Sequence, residues 1–276
     1  MNVSQPAASR LIRLLEEEIG ETLFHRTRKR LRPTREAEVF LPEAIRIVSA
    51  IDGIPEIFAQ NRAESVAPLR ILCLPRIDLG LVIPTLALLD AETRNQRYKV
   101  VVCPRREFSR RLRHGQFDVG VSTLPVPVEG LQTHFLTRAP LKVMLPQNHP
   151  LAQRDVLSPS DLSKERYIAL EEHTIVRTTV DRALAAAGAT LNLSHEVSSS
   201  EVAHRFVRNG MGFTFADPSA LPPEISDEIA LIPWSLGASI ELAYFLPQVS
   251  RPHENRDTFL KLLKDVCKDR YGQAHS

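Results

Sequence analysis

The chain is poor in the residue constellations on which enzymes, secreted proteins and membrane proteins depend. Its three cysteines, Cys73, Cys103 and Cys267, are far apart and show no paired spacing, so they fit neither a zinc site nor a disulfide framework and are expected to be reduced thiols. No apolar run approaches the roughly eighteen residues of a membrane span. Even Leu79 to Leu89 is short and interrupted by Gly80, Pro84 and Thr85. The N-terminus is polar and lacks the apolar core of a secretion signal, which leaves the cytoplasm as the expected compartment, with no membrane partner. No nucleophile-elbow glycines flank Ser122, no glycine-rich phosphate loop occurs, and the nine histidines form no paired metal motif. His204 is expected on a helix surface. These absences argue against an enzyme and leave no cofactor or metal to expect.

Net charge is also small, at +2 over 276 residues, so affinity for a polyanion must come from local clustering. Such a cluster exists near the start. Residues 25–35, HRTRKRLRPTR, carry Arg26, Arg28, Lys29, Arg30, Arg32 and Arg35 without a carboxylate, which suits phosphate binding, although many basic runs are only solvated surface. The preceding segment, residues 3–20, reads as a helix: Ser4 suits the cap, Gln5 and Pro6 the first turn, and Gly20 the stop. Ala8, Ile12, Leu15 and Ile19 share one apolar face, while Gln5, Ser9, Arg10 and Arg13 share the other. Those polar side chains can hydrogen-bond base edges and phosphates. An ordinary amphipathic surface helix would show the same periodicity.

Together the two segments resemble the recognition helix and wing of a LysR-type transcriptional regulator. The matching residues are Ser4-Gln5-Pro6-Ala7, Ser9-Arg10, Ile12, Leu15-Glu16-Glu17-Glu18, Gly20, Leu23-Phe24, Arg26-Thr27, Pro33-Thr34 and Ala37. The resemblance implies that Gln5, Pro6, Ser9 and Arg10, with Arg13 beside them, read double-stranded promoter DNA, and that Arg26, Arg28, Lys29, Arg30 and Arg32 touch its backbone. In that family two further helices precede the recognition helix, and this chain starts without them. A start codon placed too far downstream is the expectation; a truncated ligand sensor that no longer binds DNA effectively is the alternative.

Downstream, Ala37, Phe40, Leu41, Ala44, Val48, Ile51, Ile54 and Phe58 keep helical spacing, predicting one long helix over 35–60 capped by Thr34, kinked near Pro42 and ended near Pro55. Its apolar stripe needs a partner, either its own domain or, as the resemblance implies, a twin in a homodimer. After a polar hinge at 61–68, short strands at 69–74, 98–103 and 117–121 alternate with helices at 79–94 and 107–113, which predicts a parallel sheet with ligand positions beyond the strands' carboxyl ends. The second half offers strands at 141–145, 167–170, 212–216, 229–234 and 240–246, and helices at 176–187, 201–209 and 255–269.

This half resembles the LysR effector domain through Gly115, Phe117-Asp118-Val119, His149-Pro150-Leu151-Ala152, Asp161-Leu162, Ala187-Gly188, Gly210 and Gly212. The fold class expected is therefore α/β: a partial winged helix-turn-helix (1–34), a long linker helix (35–62), and a two-lobed Rossmann-like effector domain of periplasmic-binding-protein type (68–272). Lobe I comprises 68–134 and 239–272, lobe II 135–238, with crossings near 134–139 and 235–240. Four loops are candidates for the effector cleft, carrying Arg76 and Asp78; Ser122 and Thr123; His173, Thr174 and Arg177; and Ser198, Ser199 and Ser200. Asp217 either accepts an amino group or starts a turn. Each serine can equally cap a helix, and each arginine can clamp a carboxylate or remain on the surface. The segment Val197 to Pro218 looks like the opine-sensing branch of the family, which implies a small carboxylate-bearing inducer; RNA polymerase and homodimers or homotetramers complete the partners the resemblance implies.

Overall fold

The computed structural model describes residues 5–27, 30–52, 67–93, 96–115, 117–126, 131–222, 227–247 and 253–271. It divides into two compact units, Met1–Ser65 and Val66–Ser276. In the first, α1 (Gln5–Ile19) leads to an antiparallel hairpin of β1 (Phe24–Thr27) and β2 (Arg30–Pro33), followed by α2 (Arg35–Asp52). Gly20 ends α1 in a left-handed conformation, φ 77°, as glycine does without steric penalty. Glu16 then ties the helix to the hairpin: its Oε1 accepts from the N–H groups of Leu23 at 2.8 Å and Phe24 at 3.0 Å. Thr34 closes the other side, donating to the carbonyls of Thr22 and Leu23 and capping α2 by accepting from Ala37 N at 3.1 Å. The expected cap of α2 is thus present. The helix is not interrupted at Pro42; the expected end near Pro55, and the cap residue Ser4, lie outside the described residues.

The second unit is built on a five-stranded sheet and, in its other half, a three-stranded and a two-stranded sheet that an isolated bridge joins into one second sheet. The first has the order β4 (Tyr98–Val102), β3 (Leu69–Cys73), β5 (Val119–Thr123), β12 (Ser239–Pro247), β6 (Leu131–Pro140). Its parallel part is β3 (Leu69–Cys73), β4 (Tyr98–Val102) and β5 (Val119–Thr123), connected by α3 (Ile83–Glu92) and α4 (Arg105–His114). This is the alternation the hydrophobic pattern predicts. A π-helical turn, Asp78–Val82, leads into α3. The strand β6 (Leu131–Pro140) is not foreseen by the pattern, because it lies at the sheet edge with mixed polar and apolar side chains rather than a clean alternation.

The second sheet repeats this plan. Here β7 (Lys142–Pro146) is flanked by β10 (Thr214–Ala216) and β11 (Ile229–Pro233), both antiparallel to it. After a short helix α5 (Pro159–Leu162), the parallel pair β8 (Arg166–Leu170) and β9 (Asn192–Val197) is bridged by α6 (Ile175–Ala186), and α7 (Ser200–Arg208) leads back towards β10. Hydrogen bonds from Phe213 N to Arg166 O and from Ile168 N to Phe213 O join β8 to the residue ahead of β10. Edge strand β9 also escapes the sequence pattern, its residues being half or fully exposed. The chain enters this sheet through Leu141 and returns through β12 (Ser239–Pro247) to finish in α8 (Arg256–Tyr271). The first crossing is therefore displaced from the expected 134–139, since those residues belong to β6.

Burial follows from these two sheets. Phe108 of α4 meets Phe245 of β12 edge to face, ring centroids 6.1 Å apart. Under the second sheet Tyr167, Phe213, Phe215 and Trp234 form one aromatic group, whose large rings supply much apolar area per residue. At Gly80 the π-helical turn approaches the Pro218–Ala220 turn so closely that a Cβ would lie 2.2 Å from Ser219 O. Gly80→Ala is therefore expected to lower stability by about 1–3 kcal/mol through forced backbone displacement, read as a lower denaturant midpoint with an unchanged slope.

Candidate functional site

In the first unit the residues with DNA-reading chemistry fall on α1 and on the hairpin. Pro6, Arg10 and Arg13 are exposed and Ser9 is half-buried. Gln5 begins the helix. Spacing places Gln5, Ser9 and Arg13 along one side of α1. On the hairpin, Arg32 is exposed and stands opposite His25, while Arg26 and Arg30 occupy β1 and β2; Arg28 and Lys29 lie outside the described residues. Leu11, Leu14, Leu15 and Ile19 leave α1 with exposed apolar surface.

The second unit offers a different chemistry, beyond the carboxyl ends of β3 and β10. Arg76 adopts φ 91°, an uncommon conformation for a side-chain-bearing residue, and its main-chain N–H bonds Asp78 Oδ1 at 3.1 Å. Its guanidinium forms an ion pair with Asp217 Oδ2. Asp217 is fully buried. The other carboxylate oxygen, Oδ1, accepts from Tyr271 OH at 2.8 Å, from Ser219 N at 2.9 Å and from the Ser219 hydroxyl. Asp217 starts the Pro218–Ala220 turn, and its second oxygen is taken by the chain's own Arg76. Burial lowers the Arg76 guanidinium to about 10, still charged at neutral pH. Arg270 fastens the turn, donating from Nη1 to Pro218 O and Leu221 O, both at 2.9 Å.

Two titratable neighbours border the pair. Desolvation, then the nearby Glu201, raise the Asp78 carboxyl above its ordinary value. His204 is buried, not on the helix surface where the sequence places it, because α7 turns Ala203, His204 and Val207 inward. Burial first, and the Arg76 charge second, lower its imidazole to about 4.

The remaining candidates are distributed differently. Ser122 and Thr123 are fully buried within β5 rather than in a loop. The strand starts and ends later than the 117–121 run suggests: Phe117 and Asp118 precede it, with Asp118 N donating to Arg70 O at 2.8 Å. Arg105, which the sequence reading misses, reaches Thr123 Oγ1 at 2.9 Å and also donates to Pro125 O. One arginine in a helix that also carries Arg106, Arg110, Arg111 and Arg113 gives no sequence signal for such a reach. Arg177 is committed to Asp181 at 2.7 Å, Glu196 at 3.3 Å and Leu170 O at 3.0 Å. Thr174 caps α6 and Ser199 caps α7, accepting from Arg177 N and Val202 N; Ser200 opens α7, Ser198 is exposed, and exposed His173 lies 3.5 Å from Glu171. Of the predicted cleft residues, Arg76, Asp78 and Asp217 are thus brought together.

Comparison with known proteins assigns this arrangement a family. Residues 62–268 match the LysR substrate binding domain, and residues 1–38 the bacterial regulatory helix-turn-helix protein, lysR family. The chain belongs to the LysR family of transcriptional regulators. It is 28% identical over 268 residues to the regulatory protein NocR of Agrobacterium tumefaciens, covering 97% of this chain and 89% of NocR. It is 30% identical over 239 residues to the octopine catabolism/uptake operon regulatory protein OccR of Rhizobium meliloti, covering 86% and 78%. Among solved structures, a full-length OxyR of Pseudomonas aeruginosa shares the fold with TM-score 0.64 and 21% identity over 98% of this chain and 87% of that one. Full-length CbnR, solved with its target DNA, gives TM-score 0.59 at 16% identity, covering 96% and 91%. The LysR-type regulators bind DNA and form oligomers, and this chain carries both of their domains. Among the described residues no helix is long and apolar enough to cross a membrane.

The depressed His204 imidazole makes a stability prediction. Its folded value of about 4 lies below the ordinary 6.5, so the unfolded chain binds the extra proton first and stability falls as pH drops from about 6.5 towards 4. Equilibrium denaturation across this window should show a steeper acid loss for the unaltered chain than for His204→Gln.

Proposed function

We propose that this LysR-type regulator reads promoter DNA with the exposed face of α1, steadies itself on the backbone with the hairpin, and responds to a small carboxylate-bearing inducer held beyond the carboxyl ends of β3 and β10. The observation that carries the inducer assignment is the buried Arg76 guanidinium beside Asp217, a cation placed where open α/β sheets bind ligands. Support for the carboxylate class also comes from OccR, whose name refers to octopine. In this reading Arg10, with Gln5, Pro6, Ser9 and Arg13, contacts base edges, while Arg26, Arg28, Lys29, Arg30 and Arg32 contact phosphates.

The two sheets act as the two lobes, 68–134 with 239–272 and 135–238, and the chain works as a homodimer or homotetramer in the cytoplasm, without catalysis. Val39, Ile47, Val48 and Ile51 are exposed on α2, and covering such apolar surface with a second copy of the helix favours pairing. A dimer then presents two recognition helices to successive major grooves. A change in the relative position of the lobes on inducer binding alters the DNA bend and the access of RNA polymerase.

Fluorescence anisotropy on operator and scrambled duplexes tests the DNA side. Arg10→Ala is expected to cost about 1–3 kcal/mol on the operator and relax its preference over scrambled DNA. Arg32→Ala should weaken both duplexes alike and reduce the logarithmic salt slope by about 1. Unchanged sequence preference in the Arg10 variant would remove that residue from base reading.

A further inference from the structure

The Arg76–Asp217 pair joins the loop after β3 in the first sheet to the end of β10 in the second. The two partners are unequally satisfied. Asp217 Oδ1 accepts from Tyr271 and from both the amide and the hydroxyl of Ser219, while among the described residues its buried Oδ2 is met by Arg76 alone. Arg76 has no comparable set. Its side chain is only 9% exposed, and Nε and Nη1 are buried without a hydrogen-bond partner among the described residues. A guanidinium carries five N–H donors, and leaving them buried and unmatched is unfavourable. The site therefore lacks acceptors for two nitrogens on the arginine side, whereas Asp217, on losing its cation, keeps the three hydrogen bonds to Oδ1 and leaves Oδ2 to be rehydrated.

We propose that Asp217 is an internal stand-in for the inducer's carboxylate. An incoming carboxylate takes the Arg76 guanidinium in a two-oxygen, fork-like contact, which the Nε edge allows and the single Asp217 oxygen does not supply. Asp217 is released onto Tyr271 and Ser219. Because the pair spans the two sheets, occupancy by ligand and the Arg76–Asp217 tie exclude one another, and inducer binding removes one of the contacts between them. Arg76 is thus the carboxylate-recognising residue, and Asp217 sets the concentration of inducer that the regulator needs by competing with it. Neighbouring His204, uncharged at neutral pH, adds no second cation to the site. The inference rests on the reading that a carboxylate inducer binds at this place.

The test is calorimetric titration of the full chain with octopine and with succinate, alongside the variants Asp217→Asn, Arg76→Gln and Tyr271→Phe, each checked for folding by circular dichroism. Asp217→Asn keeps the shape of the side chain and removes its competing charge, so it should bind one or both carboxylates about tenfold tighter than the unaltered chain. Arg76→Gln should lose that binding. Tyr271→Phe, which takes away a donor that stabilises the carboxylate of Asp217 once the arginine leaves it, should bind several-fold more weakly, and this milder variant decides the matter if Asp217→Asn does not fold. Equal or weaker affinity in Asp217→Asn, binding that survives Arg76→Gln, unchanged affinity in Tyr271→Phe, or heat from neither carboxylate with any form of the protein would overturn the proposal. Operator binding in the anisotropy assay is independent of these outcomes, so failure of the stand-in and failure of the regulator reading are distinguished.

Discussion

The second unit depends on the hydrogen-bonded ladder between the two strands beside its chain crossings. Strand β6 leaves the first sheet as β12 returns to it, and the two pair antiparallel from Ser239 opposite Pro140 to Pro247 opposite Leu131. The ladder satisfies backbone groups that would otherwise be exposed at the joint, and it fixes where Leu141 enters the second sheet. Other contacts between segments of the two sheets add to the ladder. The Arg76–Asp217 pair, the Arg270 bonds to the Pro218–Ala220 turn, and the close approach at Gly80 are contacts of this kind.

In the first unit the organising contacts are shorter in range. A carboxylate at Glu16 and a hydroxyl at Thr34 satisfy the main-chain groups at the turns around Leu23, and the hairpin follows from where those turns point the chain. Among the described residues there, Leu23, Thr34 and Ala37 are buried. Much of the apolar surface of both helices remains exposed, which suits elements that act through partners, because surface with no covering in one chain favours association.

Elements with strong local periodicity were legible in advance. Helix α1, the alternation through β5, and α8 with Phe259, Leu262, Leu263 and Val266 buried as spaced follow from patterns of 3.6 and 2 residues. Strands β6 and β9 were not, since an edge strand has one neighbour and tolerates polar side chains on both faces. Ser122 and Thr123 show the same limit at the site: their hydroxyls suggested a loop, yet strand pairing with β12 buries them. His204 likewise looks like surface until the inward face of α7 is known.

The sequence by itself determined the family, its two domains and the polar chemistry of α1, because these rest on local motifs that keep their meaning wherever the chain folds. It also named Arg76 and Asp217 separately. Only the tertiary structure decided that they face each other, that Arg177 is committed to Asp181 and Glu196, and that Arg105 rather than a foreseen residue reaches Thr123. Partner choice between charges distant along the chain is set by how two sheets are brought edge to edge, a long-range geometry to which no local spacing corresponds.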